Sequence, residues 1–371
     1  MKIKSINIEK LFGYFDYIIE LNQEEGITIL TGPNGYGKTT ILNVINNIYM
    51  RNTNYLNSLK VSKISIFFEN DESIWFDRDT KQLGRSSLPV FNEFWADSKE
   101  KKYDVLFIKD QRLIREENIP NNNMVASDVF YVPTGKQTVN AISSYANEMC
   151  ASLIDKKNKE NALSEKLNAT QFNRINECTP LNADEYKSRF EIFHKKYKQL
   201  LAMGIYSEPI QYTAYDENRQ YLSIFLEDFE KKIDIYNEII IKAELFSEII
   251  NKKSFKNKQV FIDFRNGFAV KTKTHDDIRL ASLSSGEQQE IVLLYELIFK
   301  TKHESMVLID EPETSLHIVW QRQFINDLIK IRQVNNNLSF IVATHSPQII
   351  AGHYDLCTDL YDLSSEEKKN A

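Results

Sequence analysis

The sequence predicts an α/β fold with a helical segment inserted into it. Residues 27–31 form an apolar run that leads into a glycine-rich stretch, and the apolar residues after that stretch are spaced for one face of a helix. Residues 306–309 and 338–343 are further buried-strand patterns that alternate with helical patterns, as in parallel sheets covered by helices. From about 137 to 251 the apolar period changes to 3.6, which indicates helices.

The first 110 residues predict strands and a single helix. Alternating isoleucines near the N-terminus predict a first strand, and residues 17–21 predict a second strand that pairs with it. The strand at 27–31 precedes a helix over 38–50. Three later runs, rich in β-branched and aromatic residues, predict strands at 64–69, 74–77 and 105–109.

The middle of the chain predicts two antiparallel helices after a more polar helical block near 138–170. Apolar residues recur by threes and fours along both helices. They are Tyr186, Phe190, Phe193, Tyr197 and Leu200 on the first, and Leu222, Phe225, Phe229, Ile233, Tyr236, Ile240 and Ala243 on the second, longer one. Aromatic residues at this spacing are expected mainly in a core. The tyrosine-rich connection at 206–221 has no clear period, so we expect a partner protein to bind there.

The last third predicts strands and helices in alternation. Strand patterns return at 259–264 and 268–270, and a helix follows over 283–300. The strand at 306–309, a helix at 317–333, the strand at 338–343 and a short helix from Pro347 complete the pattern.

Composition excludes several classes of protein. With 371 residues, 42% of them hydrophobic, the chain can bury a large core, and its net charge of −6 argues against a generally basic, nucleic-acid-coating protein. Its three cysteines are far apart and suggest neither a disulfide framework nor a zinc site. The N-terminus alternates like a strand, and no apolar stretch is long enough to span a bilayer. We therefore expect a soluble, cytoplasmic protein.

Residues 32–39, Gly-Pro-Asn-Gly-Tyr-Gly-Lys-Thr, fit the template G-x-x-x-x-G-K-[ST] at every position. The glycines allow successive backbone N–H groups to turn towards phosphate oxygens, and the following helix N-terminus adds partial positive charge. In such loops the lysine reaches the β and γ phosphates, and the hydroxyl binds Mg²⁺. The sequence therefore predicts a site for a nucleoside triphosphate, with Thr39 also a metal ligand. Its residues are Asn34, Gly35, Gly37, Lys38, Thr39 and Thr40.

The strand pattern at 306–309 ends in two carboxylates, Asp310 and Glu311. In enzymes with this phosphate loop, the first carboxylate holds Mg²⁺. The second lies beyond the strand end, where a water attacking the γ-phosphate would lie, so Glu311 is predicted as the general base. A strand ending in Asp-Glu is also common by chance, so this prediction depends on the motifs around it.

Three more segments carry recognisable motifs. Residues 283–289 read Leu-Ser-Ser-Gly-Glu-Gln-Gln, residues 311–317 read Glu-Pro-Glu-Thr-Ser-Leu-His, and residues 344–346 read Thr-His-Ser. Together with the phosphate loop, and in this order, they resemble the signature loop, the Walker B extension and the switch histidine of ABC-type AAA ATPases related to SMC, RecF and OLD proteins. Residues 6–15 also look like the first strand of that group.

The resemblance implies a P-loop ATPase core, with a mixed sheet, flanking helices and an antiparallel β lobe, and an inserted helical lobe. Residues 1–112 and 255–371 would form the two halves of the core, and 113–254 the helical lobe. It implies ATP and Mg²⁺ as ligands, with His345 bound to the γ-phosphate and acting beside Glu311. A glutamine after a core strand joins the metal in this class, and Gln111 is the candidate. An ordinary exposed glutamine is the alternative.

The signature loop implies a dimer. A serine and a glycine at the start of a helix offer a second anion site through backbone N–H groups and helix polarity. In this class that site completes the nucleotide site of a second subunit, so that two chains enclose two ATP molecules. Ser284, Ser285, Gly286 and Glu287 would therefore bind the nucleotide of the partner. The alternative for Ser284 is an ordinary helix N-cap.

Within the group, OLD nucleases carry a metal-binding Toprim domain after the switch histidine, and we expect none here because the sequence after His345 is short. The chain most resembles the ATPase subunits of bacterial anti-phage systems of the Septu, PARIS and retron-associated types, which act with a separately encoded nuclease or toxin. This implies a homodimer, or a higher assembly of dimers, that controls such an effector.

The sequence leaves two alternative functions open. One is a RecF-like repair ATPase that binds DNA through lysine-rich segments, although a charge run is usually a solvated face. The segments are 99–102, 156–159, 252–258 and 271–273. The other is a transporter ATPase, which would need membrane partners.

Overall fold

The computed structural model describes residues 2–85, 105–109, 113–118, 130–131, 136–212, 215, 218–253, 257–274, 276–302, 304–335 and 338–364. The chain divides into two compact units. The first contains Met1–Arg112 and Leu293–Ala371, and the second contains Leu113–Val292. None of the described helices combines the length and the apolarity that a membrane crossing requires.

The strands are β1 Ile3–Leu11, β2 Phe15–Glu20, β3 Ile27–Thr31, β4 Lys63–Phe68, β5 Ser73–Asp77, β6 Gln82–Arg85, β7 Val105–Ile108, β8 Ile114–Asn118, β9 Phe130–Tyr131, β10 Lys136–Asn140, β11 Lys258–Asp263, β12 Gly267–Thr272, β13 Asp277–Ile278, β14 Met306–Asp310, β15 Ser339–Ala343 and β16 Cys357–Asp359.

The helices are α1 Lys38–Tyr49, α2 Thr53–Ser58, α3 Ala141–Glu177, α4 Ala183–Ala202, α5 Arg219–Asp234, α6 Asn237–Lys252, α7 Ser285–Tyr295, α8 Ile318–Gln321, α9 Phe324–Val334 and α10 Pro347–Ile350. A π-helical turn, Glu296–Lys300, continues α7, and a 3₁₀ turn, Pro312–Ser315, follows β14.

The first unit contains two sheets. One is antiparallel, with the strand order β2-β1-β4-β5-β6, and the other has the order β16-β3-β15-β14-β7 with all its strands parallel. Helix α1 is buried against both of them. Its side chains Ile41, Leu42 and Ile45 are fully buried in one core with residues of β1, β4, β14 and β15. An apolar surface on several sides of α1 explains why it lies between two layers rather than at the surface.

The second unit contains the long helices. α3 packs on α5 and on β12, and α6 packs on β11. Gly267, with a φ of +70°, lies so close to α3 that a Cβ there would come within 2.0 Å of the Ala146 carbonyl oxygen. The position therefore requires glycine. Two small antiparallel sheets, β8-β10-β9 and β11-β12-β13, complete this unit.

The predicted α/β fold class is confirmed, but two predicted helices are each divided. The predicted long helix from 222 to 243 is two helices, α5 and α6, with a turn at Ile235 and Tyr236. The apolar period continues across this turn because Ile233 and Tyr236 are both buried, so periodicity could not reveal it. The predicted helix over 317–333 is likewise divided into α8 and α9.

The compact units also differ from the predicted segments at one boundary. The predicted C-terminal half of the core, 255–371, is divided between the two units after residue 292. Strands β11 to β13 and the start of α7 therefore belong to the unit with the long helices. The reason is local. The Asn251 side chain at the end of α6 donates to the Val260 carbonyl at 2.9 Å and accepts from the Val260 N–H at 2.9 Å, which joins α6 to β11.

The aromatic residues of the middle segment follow the prediction in part. Tyr186, Phe190, Phe193 and Tyr197 are buried, as their spacing predicts. In the connection, however, Tyr206 donates its hydroxyl hydrogen to Glu160, and Tyr215 is buried against Tyr186. Only Tyr212 and Tyr221, among the described tyrosines of 206–221, are largely exposed. Fewer tyrosines of this connection are therefore exposed to a partner protein than the sequence suggests.

Candidate nucleotide site

Three neighbouring parallel strands end together at one edge of the sheet. Leu30 on β3 is opposite Ala343 on β15, and Ala343 is opposite Asp310 on β14. The segments that follow these strands are the phosphate loop, Glu311 and His345. The carboxyl ends of parallel strands are the usual position of ligand sites in α/β sheets. The sheet thus brings together three motifs that are up to about 300 residues apart in sequence.

The phosphate loop connects β3 to α1 and is formed mainly by backbone. Gly32, Gly35 and Gly37 have φ values of +133°, +90° and +89°, a conformation that side chains with a Cβ rarely adopt. A Cβ on Gly37 would also come within 2.8 Å of the Leu11 side chain. Asn34 and Gly35 are exposed at the tip of the loop, and Thr40 lies in the first turn of α1.

Lys38 is buried at the start of α1, with 6% of its surface exposed. Its ammonium group donates to the carbonyl oxygens of Gly32 at 2.8 Å and Pro33 at 3.3 Å. These bonds hold the lysine head over the loop instead of in solvent. The Lys38 cation and the N-terminus of α1 are therefore both on the side of the loop where an anion would bind.

Thr39 and Asp310 are in direct contact. The Thr39 hydroxyl donates to the Asp310 carboxylate with an Oγ1 to Oδ1 distance of 3.0 Å, and Asp310 is 7% exposed. One hydroxyl and one carboxylate oxygen at a strand end match the protein ligands that Mg²⁺ takes in nucleotide sites.

Glu311, after β14, and His345, after β15, are in contact with each other. Glu311 follows β14 with a φ of +43°, an uncommon conformation for a residue with a side chain, and its backbone N–H donates to the Ala343 carbonyl at 2.9 Å. The His345 Nδ1 is 3.3 Å from Glu311 Oε1 and also 3.3 Å from Glu313 Oε1. The strained backbone turns the Glu311 carboxylate towards the histidine.

The signature segment begins α7 in the second unit. Ser284 and Glu287 form a reciprocal cap, in which the Ser284 N–H and hydroxyl donate to Glu287 Oε2 at 2.9 and 3.0 Å. The Glu287 N–H donates back to the Ser284 Oγ at 3.3 Å. The ordinary N-cap, which was the alternative for Ser284, is thus present in the structure. Ser284 and Ser285 are exposed, and Gly286 is half-buried in the first turn.

Lys258 on β11 completes this arrangement. Its ammonium donates to both oxygens of Glu287, at 2.8 and 2.9 Å. Burial opposes ionisation of Glu287, but the hydrogen bonds from Lys258 and from Ser284 outweigh it, so that the pKa of Glu287 lies below its ordinary value of 4.5. The carboxylate therefore stays charged at neutral pH.

The structure brings Lys38, Thr39, Asp310, Glu311 and His345 to one edge of a sheet. Gln111 lies outside the described residues. Two residues were missed by sequence reasoning, Glu313 and Lys258. A second carboxylate two residues after Glu311 is visible in the sequence, but nothing there reveals that it faces His345.

The family model described as "AAA domain, putative AbiEii toxin, Type IV TA system" matches residues 27–351. The chain belongs to this family. The Retron Ec83 probable ATPase of Escherichia coli is 21% identical over 409 aligned residues, which cover 94% of this chain and 69% of that protein. The predicted relationship to ABC-type AAA ATPases, including retron-associated ones, is therefore confirmed.

Solved structures of SMC head domains are similar over most of their length. The Pyrococcus furiosus SMC head, bound to the C-terminal domain of ScpA, is 15% identical, with 94% of this chain and 91% of that chain covered and a TM-score of 0.42. The Thermotoga maritima SMC head domain is 12% identical, with 94% and 91% covered and a TM-score of 0.41.

Proposed function

We propose that the chain is a Mg²⁺-dependent ATPase that forms ATP-sandwich dimers and controls a separately encoded effector in a defence complex. The observation that carries this proposal is the single sheet edge that holds Lys38, Thr39, Asp310, Glu311 and His345. The AAA family supports nucleotide hydrolysis. The name of the family and that of the retron ATPase relative support a toxin or defence context.

The residues present fit ATP and Mg²⁺. Positive φ at three loop glycines allows backbone N–H groups to converge on an anion, and Lys38 adds a cation beside them. Mg²⁺ is usually held by one or two protein groups together with substrate phosphates, and Thr39 and Asp310 are the residues that would hold it. When bound, the metal would neutralise charge that develops on the phosphate oxygens.

We assign the action on water to Glu311. Glu311 directly follows the strand that ends in Asp310, and 30% of its side chain is exposed. A carboxylate at this position can accept a proton from an attacking water, which raises the nucleophilicity of the oxygen. His345, with 53% of its side chain exposed, can donate a hydrogen bond to the terminal phosphate.

We assign the signature residues to the nucleotide of a second copy. Ser284, Ser285 and Gly286 expose the N-terminus of α7, an 11-residue helix, on the second unit. A γ-phosphate at this position would receive backbone N–H groups and helix polarity. Because the Ser284 hydroxyl donates to Glu287 in the single chain, closure of the dimer requires this hydroxyl to rotate towards the phosphate.

The contacts of two lysine-rich segments, 252–258 and 156–159, weigh against a RecF-like DNA clamp. Lys252 pairs with Glu248, Lys258 with Glu287, and Lys253 is buried with Glu290. In the segment 156–159, Lys157 pairs with Glu160 and Lys159 with Asp155. The segment 99–102 lies outside the described residues. These pairs reduce the net positive charge that phosphate backbones require.

The direct test is release of phosphate from ATP by the purified chain with and without Mg²⁺. The Lys38→Ala variant should bind ATP about 10- to 100-fold more weakly, as expected for loss of charge-assisted hydrogen bonds. Titration with a fluorescent ATP analogue measures this loss. Lys63→Ala, at an exposed position of β4, is the matched control and should bind like the parent. Equal affinity of Lys38→Ala and parent would exclude the assigned site.

A further inference from the structure

Glu313 is a buried carboxylate on which several donors converge. It lies in the 3₁₀ turn after β14, and its side chain is 7% exposed. Its Oε1 accepts hydrogen bonds from the Thr344 hydroxyl at 2.6 Å, the His345 N–H at 2.9 Å and the Ser346 N–H at 3.0 Å. One carboxylate oxygen thus fixes the backbone on both sides of His345.

The same oxygen also faces the His345 ring. The His345 Nδ1 is 3.3 Å from Glu313 Oε1 and 3.3 Å from Glu311 Oε1. Carboxylate oxygens are hydrogen-bond acceptors, so these two contacts favour the ring tautomer that carries its hydrogen on Nδ1. The two carboxylates differ in freedom, because Glu313 is fixed by three donors whereas Glu311 is 30% exposed.

We propose that Glu313 is the positioning residue of His345. It holds the Nδ1 side of the ring, so that Nε2 is the nitrogen left for the terminal phosphate, and it remains as a partner when Glu311 turns to water. This inference rests on the proposed function and names a residue that acts through His345 rather than on the nucleotide. Histidines in catalytic and metal sites are oriented in the same way, by the hydrogen bond at the second ring nitrogen.

The charge of Glu313, and not only its shape, matters for this role. Three backbone or hydroxyl donors and one imidazole nitrogen surround a single oxygen, which is a favourable environment for an anion. Its other oxygen, Oε2, is buried and has no hydrogen-bond partner among the described residues. Glutamine has the same size and can still accept from the loop, but it attracts the ring less strongly.

The test compares Glu313→Gln with Gln321→Ala. Gln321 donates to the backbone carbonyl oxygens of Glu313 and Leu316 and accepts from the Ser346 hydroxyl, so its loss loosens the same loop without changing the carboxylate. The first readout is the ¹⁵N spectrum of the histidine side chains without nucleotide. The chain has six histidines, and His345→Asn identifies the resonances of interest.

We expect the His345 ring resonances to shift strongly in Glu313→Gln and much less in Gln321→Ala, which loosens the loop but keeps the carboxylate. With ATP, Glu313→Gln should lower kcat about 10- to 100-fold, the usual effect of removing an orienting partner. Its affinity for a non-hydrolysable ATP analogue should stay near that of the parent, and Gln321→Ala should hydrolyse ATP near the parental rate.

Unchanged His345 resonances in Glu313→Gln would overturn the inference, as would an equal shift in Gln321→Ala. If the parent chain itself neither bound nor hydrolysed ATP, the proposed function would fail instead. The spectrum without nucleotide would still decide whether Glu313 orients His345.

Discussion

At the scale of single residues, the site depends on how a few side chains are held. Asp310 is buried against Thr39, whereas Glu311 is turned out by its positive φ and contacts His345. Two adjacent carboxylates therefore have different surroundings, which supports the proposed roles of Asp310 as a metal ligand and Glu311 as a general base.

Replacing Glu311 by glutamine should separate binding from hydrolysis. The amide keeps the size of the side chain but cannot accept a proton from water, so turnover should fall about 10²- to 10⁴-fold. Nucleotide affinity should stay near that of the parent, because Lys38 and the loop are unchanged. Stopped reactions that follow phosphate release, together with equilibrium titration, measure both quantities. Hydrolysis at the parental rate would mean that another group activates the water.

The residues of this site could be predicted from sequence only where a motif fixes their spacing. Lys38 and Thr39 follow the loop after β3 and Asp310 is the last residue of β14, so the parallel register brings them together. Glu313 could not be predicted, because its direction depends on the 3₁₀ turn at Pro312–Ser315 and its partners come from the 344–346 loop. Lys258 is a similar case, since β11 and α7 meet only in three dimensions.

At the scale of elements, hydrogen bonds and ion pairs of two glutamates stabilise the start of α7. Glu287 caps the Ser284 N–H and hydroxyl and pairs with Lys258. One turn later, the fully buried Glu290 pairs with Lys253. Lys253 directly follows α6 and Lys258 is the first residue of β11, so the orientation of the signature helix depends on the end of the helical region.

The contribution of Glu287 to stability should depend on pH. Its pKa is lower in the folded chain than the ordinary 4.5, so its stabilising effect is complete above that pH and is lost as the pH falls through the folded pKa. Glu287→Gln should therefore unfold at lower urea concentration than the parent at neutral pH, and the difference should shrink in acid. Glu165→Gln, at an exposed position of α3, is the control. A difference that is constant with pH would contradict this assignment.

The turn between α5 and α6 contacts a buried carboxylate of α3. Glu160 is 5% exposed and accepts hydrogen bonds from the Tyr206 hydroxyl at 2.9 Å and the Tyr236 hydroxyl at 2.8 Å. Burial, followed by the hydrogen bond to Glu160 and its charge, raises the pKa of Tyr236, so the phenol remains a donor. The turn between α5 and α6, which the sequence did not predict, is the feature that places Tyr236 at this carboxylate.

Tyr236→Phe should destabilise the chain by about 1.5–3 kcal/mol, the usual effect of removing a hydrogen bond to a charged group. Thermal or urea unfolding measures the change. Tyr221→Phe is the matched control, because Tyr221 is 48% exposed, and it should leave the stability nearly unchanged. Equal effects of the two substitutions would show that the Glu160 contact contributes nothing.

At the scale of the whole molecule, the motifs are divided between two compact units. The phosphate loop, Asp310, Glu311 and His345 belong to one unit, and Ser284 and Glu287 belong to the other. The predicted fold class holds at this scale because strand and helix periodicities are strong over most of the chain. The boundary inside α7 could not be predicted, since a continuous helical pattern gives no sign of where one unit ends.

The proposed sandwich makes a mixture of variants informative. Ser284→Arg should block the signature face, while Lys38→Ala should disable the phosphate loop. Each variant alone lacks one half of every shared site. A mixed dimer can form one site from the intact Lys38 of one copy and the intact Ser284 of the other. We therefore expect partial recovery of hydrolysis on mixing, and no recovery would count against shared sites.

The mass of the Glu311→Gln chain in solution shows whether two copies share their nucleotides. With saturating ATP and Mg²⁺, hydrolysis is slow and we expect a dimer of twice the monomer mass. With ADP, or with Ser284→Arg added to the same chain, we expect a monomer. A Glu311→Gln chain that binds ATP and remains monomeric would rule out the proposed sandwich.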